Sequence, residues 1–415
     1  MTPGFALAAL AGVCLLVALA GWRRYGSPLN PLTIFAIDQG LIFTVFSGFV
    51  ALFVDPFQQV NRDAAVRTAL LSMSYVAGAL AAFLGGATIA RGAYEALLRL
   101  LYLDSSRYAG RFTGTRVLVV LLTAAAAMAA LAIVGGGGML WLTNSRIAYQ
   151  QYRSGAGPFF SAYEWLLSFA LLYVLWSVRP RFLGTSAAVA FFAALMFLSG
   201  SKGFVLLTLI IGVSYYHFFV RRIPAVALVL AFPVLAVGAL GLQLVQGTSQ
   251  DLIGTVLYFR EYFAFTAMFL ERFSEFGHTF GATTLSELWS YVPRGLVPSK
   301  PYVYGVINIL DVLLPGAAER GHTPGILPWA VAYLDFGAIG VFFSGYISGL
   351  LRRVPFEHFL RHRESFFAFS LMVHFSFREI WLFLPLPLVF VLALAQATFL
   401  RLVLVKSTSA SLAPG

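Results

Sequence analysis

A single cysteine stands among 415 residues, with only six histidines and 17 acidic side chains. One thiol, Cys14, excludes an intramolecular disulfide and any cysteine-based metal site. The histidines show no His-Glu-x-x-His spacing, and only His358 and His362 stand four apart, beside Arg361 and Arg363, where repulsion disfavours a metal. No paired aspartates of a metal-dependent glycosyltransferase occur. There is no Gly-rich loop ending in Gly-Lys-Ser/Thr and no dinucleotide fingerprint after a strand, which argues against energy from cytoplasmic ATP. The reading calls for no metal and no cofactor. Charge is scarce as well: Asp, Glu, Lys and Arg together make 11% of the chain, too little to clothe a water-soluble surface.

What fills the space is apolar. Hydrophobic residues make 60% of the sequence and mean hydropathy is +0.83, so the chain reads as an integral membrane protein. The apolar stretches are continuous, unlike the alternating strands of an outer-membrane barrel. At about 20 residues per crossing, they predict an all-α polytopic membrane protein of about 11 transmembrane helices. The expected spans are 4–22, 31–54, 66–90, 116–135, 159–178, 182–200, 204–220, 223–245, 326–348, 365–377 and 381–403. The first has no basic residue before it and Arg23 and Arg24 after it, the wrong polarity for a cleaved signal peptide.

The positive-inside rule orients these spans. Connections carrying Arg23 and Arg24, Arg91 to Arg116, Arg179 and Arg181, Arg221 and Arg222, and Arg352 to Arg363 fall on one side with Arg401 and Lys406. That side holds 17 of the 28 basic residues, against six in the short loops opposite. It is read as the cytoplasm of a bacterial inner membrane, with the N-terminus periplasmic and the C-terminus cytoplasmic. Topology setting and contact with anionic membrane lipid account for the net charge of +11, and no nucleic-acid partner is expected.

A single membrane domain, 1–415, is the simplest organisation, with one large periplasmic loop, 246–325, between spans 8 and 9. It opens on a Phe-rich amphipathic stretch, Leu252 to Phe276, expected to lie at the interface. Beyond Gly277, the prolines at 293, 298, 301 and 315 allow only short helices and loops. Five basic and seven acidic residues in this loop exclude a bulk polyanion patch. Yet the external side collects cations that the positive-inside rule disfavours: Arg146 and Arg153, Lys202 in a tight turn, Arg260, Arg272, Arg294, Lys300, Arg320 and Arg378. Each could pair with a neighbouring acid such as Glu261, Glu271, Glu275 or Glu287. As a group they fit an anionic substrate, because arginine forks hold phosphate oxygens bidentately. A diphosphate so held is also a better leaving group, which suggests a lipid diphosphate. Tyr149, Tyr152, Trp289, Tyr291, Tyr302 and Tyr304 could stack on sugars, or form the interfacial aromatic belt. Asp38 and Asp335, in or near apolar spans, are candidates for either function or helix pairing.

Several segments resemble the oligosaccharide repeat-unit polymerases, the Wzy-type O-antigen polymerase family. They are Leu29-Asn-Pro-Leu32, Ser201-Lys-Gly203, Gly277-His-Thr, Val292-Pro-Arg-Gly-Leu-Val-Pro-Ser-Lys-Pro301, Gly321-His-Thr-Pro-Gly325 and Ala332-Tyr-Leu-Asp-Phe-Gly-Ala-Ile-Gly340. The resemblance implies a glycosyltransferase of the GT-C type working at the periplasmic face. It would pass the growing glycan from undecaprenyl diphosphate onto one lipid-diphosphate-linked repeat unit. Undecaprenyl-diphosphate-linked oligosaccharide would be both donor and acceptor, and a separate regulator protein would set chain length. Arg294 and Lys300 carry over from the motif, with Lys202, His322 and Thr323 following less specifically. Arg146, Arg153, Arg260, Arg272, Arg320, Tyr291 and Tyr302 complete the expected diphosphate and glycan contacts. His322 is the expected base, because its ordinary pKa suits proton transfer near neutrality; Glu287 and Asp335 are alternatives. An O-antigen ligase uses the same lipid-diphosphate donor but delivers the glycan to lipid A core; the Pro293 to Pro301 motif favours the polymerase. A lipid-linked sugar flippase would call for paired internal repeats, and none is evident.

Overall fold

The computed structural model describes residues 1–54, 60–103, 115–200, 202–224, 226–227, 252–292, 297–316, 325–377, 398 and 401. Among them there is no strand, and the long helices are α1 (Pro3–Tyr25), α2 (Pro31–Val54), α3 (Arg62–Leu84), α4 (Thr88–Leu100), α5 (Thr115–Gly135), α6 (Ser145–Val178), α7 (Phe182–Phe197) and α8 (Lys202–Tyr215, continued to Val220). They are followed by α9 (Leu252–Glu271), the short α10 (Ala282–Ser286) and α11 (Ile307–Leu313), α12 (Ala330–Arg361) and α13 (Phe366–Met372, continued to Phe377). The chain is an all-α polytopic membrane protein. Among the described residues, six helices are long and apolar enough to cross a membrane: α1, α2, α3, α5, α8 from Gly203, and α12. Shorter apolar segments, Ala162–Val178, Phe182–Phe197 and Phe366–Ser376, occupy three more predicted positions. The expected spans 223–245 and 381–403 lie almost wholly outside the described residues.

Local chemistry sets the helix ends. Asn30 begins α2: its side chain accepts from the Thr33 amide at 3.0 Å and donates to Thr33 Oγ1 and to the Ser27 carbonyl, each at 2.7 Å, while Pro31 takes the first helical position. Thr33 Oγ1 then donates to the Ala18 carbonyl of α1 at 2.8 Å, so the Leu29–Leu32 motif is a corner that fixes α2 against α1. The expected third span runs through Gly85 and Gly86 to residue 90, but the helix stops at Leu84. A separate amphipathic helix, α4, follows and buries Tyr94 and Leu98.

Two packed groups share α12. α1, α2, α3, α9 and α11 surround its first half, whereas α4, α5, α6, α7, α8 and α13 build an aromatic-rich core that includes Val354, Phe356 and Phe359 near its end. Packing between apolar helices in lipid relies on close backbone approach, and α3 and α12 supply it. A Cβ on Gly345 would lie 2.0 Å from the Tyr75 carbonyl oxygen, one on Gly78 2.1 Å from that of Phe342, and one on Gly349 2.8 Å from Ala79 Cα. Trp329 Nε1 adds a 3.0 Å bond to Ser72 Oγ.

The arginine-rich connections gather at one end, as the charge count predicts. Glu357 of α12 accepts from Arg353 at 2.7 Å, Arg91 at 2.5 Å and Tyr25 at 3.1 Å, with Arg24 at 3.6 Å. Arg353 also donates to the Ala82 and Gly85 carbonyls at the end of α3, at 2.7 and 2.6 Å. One carboxylate thus ties α1, α4 and α12 together, and its arginine caps α3.

α9 departs from the expectation of an interfacial helix. Residues Tyr262 to Leu270 are buried all round, between α2, α3 and α11. Ser47 explains the insertion: its Oγ donates to the Phe259 carbonyl at 2.5 Å and accepts from the Phe263 amide at 3.0 Å, and neighbouring Gly48 leaves room for the Phe263 ring. Replacing Gly345 by Leu should push α3 from α12 and cost at least the 1–3 kcal/mol typical of overpacking. The expected result is a lower thermal midpoint in detergent, while Leu substitution at Gly12, which has open space around its Cα, should leave the midpoint unchanged.

Candidate functional site

The end of the molecule opposite Glu357 is built from the segment after α9 and the start of α12. Gly277, at φ 66°, turns the chain out of a short 3₁₀ turn, Phe273–Glu275. The next residues then bond to α12: His278 Nδ1–H and the Thr279 amide donate to the Leu334 carbonyl, and the Phe280 amide to that of Asp335, all at 3.2 Å. Two motifs about 55 residues apart in sequence therefore lock onto each other.

Asp335 is the centre of this lock. Fully buried, its carboxylate accepts from Thr279 Oγ1 at 2.5 Å, the Thr283 amide at 3.2 Å, and the Thr284 amide and hydroxyl at 3.0 and 2.5 Å. It holds the first turn of α10 as an N-terminal anion does. Gly337, at φ 64° and ψ −154°, then breaks the helical path of α12 just beyond it. The geometry assigns Asp335 to anchoring, which answers the choice the sequence left open.

From α10 the chain enters a loop whose neck is closed by two bonds. Gly305 N–H donates to Ser286 Oγ at 2.7 Å and Val306 N–H to Glu287 Oε1 at 2.6 Å. A Cβ on Gly305, at φ 55°, would fall 1.9 Å from the Glu287 carboxyl carbon, so the neck requires glycine there. The loop carries the 292–301 motif. Within it, Lys300 closes a turn by donating its amide to the Val297 carbonyl at 3.0 Å, and its ammonium sits 4.8 Å from the centre of the Tyr304 ring. Only 6% of Lys300 and 3% of Glu287 is accessible. Burial pushes the Glu287 carboxyl up to about 8, offset in part by the Val306 amide.

The remaining expected site residues are distributed as follows. Arg272 is engaged at the surface, its Nε and Nη2 on the two carboxylate oxygens of Glu275 at 2.8 and 2.6 Å, a hydrogen-bonded fork that lowers the Glu275 pKa. Arg260 is half-buried on α9, and Tyr302 is 57% exposed beside the neck. Arg146 and Arg153 lie on α6, Lys202 begins α8 and Tyr291 ends a 3₁₀ turn; their side chains are outside the described part. Arg294, Arg320 and His322 lie outside the described residues altogether. The structure thus brings Glu287, Lys300 and Tyr304 into one clamped loop. The roles of Gly305 and Ser286 at its neck were not legible in the sequence; the pairing of an isolated Gly with a buried acid 18 residues earlier leaves no local pattern.

The fold and this site define a polytopic membrane protein with a buried acid and a buried lysine on a clamped loop. Over 218 residues the chain is 24% identical to the O-antigen polymerase of Salmonella typhimurium, and to the same degree to that of Salmonella typhi. The aligned part is 51% of this chain and 53% of theirs, so the chain spans about half the length of the curated relatives it matches. These relatives support the likeness to Wzy-type polymerases carried by the motifs. No family model matches the chain. No solved structure matches it either.

The neck gives a pH-dependent expectation. The Glu287 carboxyl is protonated in the folded chain up to about pH 8 and, in the unfolded chain, only up to its ordinary 4.5. The stability that goes with the proton is complete below 4.5 and is lost as pH rises to about 8, at up to about 1.4 kcal/mol for each pH unit. E287Q keeps an acceptor for Val306 and cannot ionise. Its thermal midpoint should therefore exceed that of the wild type by a margin that widens between pH 5 and 8; an unchanged margin would contradict the burial argument.

Proposed function

We propose that this chain is a glycosyltransferase that polymerises lipid-linked oligosaccharide repeat units at the periplasmic face. The observation that carries the reading is the clamped loop, whose neck is fixed by Glu287 and Ser286 and whose described part holds Lys300; the relatives named O-antigen polymerase support it. The donor is the growing glycan on undecaprenyl diphosphate. Its anomeric C–O bond to the diphosphate breaks, and the electron pair leaves with the phosphate. A hydroxyl of the acceptor repeat unit forms the new glycosidic bond and gives up its proton.

The cations stabilise the charge that grows on the departing diphosphate. Arg294 supplies a planar fork and Lys300 a point charge. Lys300 is the better defined of the two, since it is buried with its ammonium 4.8 Å from the centre of the Tyr304 ring, which holds the charge in a fixed place. For the proton there were three candidates. Asp335 is committed to four donors, and one oxygen of Glu287 to the neck. His322 remains the proton acceptor in this reading, and Glu287 acts as a positioning residue for the basic loop.

Purified protein incubated with one polyprenyl-diphosphate repeat unit, without nucleotide, should give a ladder of two, three and more units on a gel. Product that appears only with lipid A core would assign a ligase instead. Arg294→Ala should abolish the ladder at normal protein level, and Lys300→Ala should slow it by about ten- to a hundredfold. Glu287→Ala, which opens the neck, should raise KM for the lipid diphosphate, whereas E287Q should polymerise normally. Loss of activity in E287Q with an intact fold would make Glu287 the proton acceptor and displace His322.

A further inference from the structure

At the arginine-rich end, remote from the clamped loop, the turn between α6 and α7 is built in an unusual way. Arg179 ends α6 in the left-handed conformation, φ 51° and ψ 54°, with its amide bonded to the Leu175 carbonyl at 3.1 Å. That position is ordinarily glycine, because a side chain there costs about 1 kcal/mol or more. Pro180 follows, Arg181 starts α7, and Thr185 Oγ1 donates back to the Pro180 carbonyl at 3.2 Å. Strained positions of this kind cluster at ligand sites and switch regions.

The turn forms the rim of a cavity of about 270 Å³ lined by Trp176, Arg179, Arg181, Tyr215, Phe219 and their neighbours Pro180 and Val220. Its wall is aromatic: Trp176 meets Phe219 edge-on at 5.4 Å and Tyr215 stacks on Phe219 at 5.6 Å. Arg179 stands over the Trp176 ring at 5.7 Å, and among the described residues no carboxylate lines the space. Neither Arg179 nor Arg181 makes an ion pair among the described residues. This differs from Arg24, Arg91, Arg353 and Arg361 at the same end, each of which faces a glutamate. Beside the rim, Val178, Phe182 and Leu183 are 67%, 61% and 80% exposed and face the surroundings of an apolar helix bundle.

Two unpaired guanidiniums, an aromatic wall and an exposed apolar flank at one membrane edge match the parts of one kind of molecule. We propose that this cavity is a binding site for an anionic glycerophospholipid of the cytoplasmic leaflet. The phosphodiester takes the Arg179 and Arg181 forks, the glycerol lies against the Trp176 and Phe219 rings, and the acyl chains descend along Val178, Phe182 and Leu183. Such a lipid would hold α6, α7 and α8 together at an end where no carboxylate among the described residues does so. The site is separate from the glycosyl-transfer reading and does not depend on it.

The test is native mass spectrometry of the full chain released from detergent and titrated with phosphatidylglycerol or phosphatidylcholine. Wild type should retain one phosphatidylglycerol, at least tenfold more tightly than phosphatidylcholine, and millimolar inorganic phosphate should not displace it. R179Q/R181Q should lose that preference. The control R99Q/R116Q, which removes the same charge elsewhere on this end, should keep it. Both pairs are exposed, so the variants are expected to fold, and a thermal midpoint within a few degrees of wild type would verify it. Equal retention by the two double variants, or equal binding of phosphatidylcholine, would overturn the proposal. Displacement by inorganic phosphate would overturn it in favour of a site for free anions.

Discussion

The close approach of α3 and α12 is the contact on which the rest of the structure depends. In lipid there is little hydrophobic gain in bringing two apolar helices together, so the contact must come from backbone packing and polar bonds. Gly78, Gly345 and Gly349 let the two backbones meet without an intervening side chain, and Trp329 adds a polar bond to Ser72. Because α12 contributes to both packed groups, its position against α3 determines how the α1–α3 group meets the α5–α8 group.

The same helix carries the organising charges of both ends. Near one end Glu357 gathers Arg24, Arg91, Arg353 and Tyr25, and near the other Asp335 gathers the backbone and hydroxyls of residues 279–284. Glu287 accepts from the Val306 amide, and burial raises its pKa to about 8. Its function in the neck suits a carboxyl that stays neutral near pH 7. The anchored segment and the clamped loop follow one another without a gap: Asp335 fixes α10, the end of α10 supplies Ser286, and Ser286 with Glu287 closes the loop bearing the basic motif. Rigidity is thus passed from the start of α12 through α10 to the clamped loop.

Much of this architecture was legible in the chain. Continuous apolar stretches and arginine placement predicted the helices and which connections share an end, because burial of apolar length and basic-loop bias act locally along the sequence. The motifs Gly277-His-Thr and Ala332 to Gly340 could be singled out as well, though not their contact with each other. Position in or near apolar spans marked Asp38 and Asp335 as notable, and Glu287 was an alternative base in the loop, but from sequence a lone carboxylate reads alike as anchor or as base. The donors of residues 279–284 made Asp335 an anchor, and the amide of Val306 tied Glu287 to the neck. The burial of α9 was equally hidden: its Phe-rich pattern suits a membrane surface as well as a core, and Ser47, more than 200 residues earlier, decides between them.

By itself, then, the sequence determined the class of the protein, its helical segments and the grouping of its basic connections, since these follow from composition and from spacing along one dimension. Only the tertiary structure decided which small residues face each other across α3 and α12, which acids are anchors, and which cations are left without a carboxylate. Those outcomes depend on pairs of residues far apart in the chain. Their energies come from distances of a few ångströms that no periodicity records.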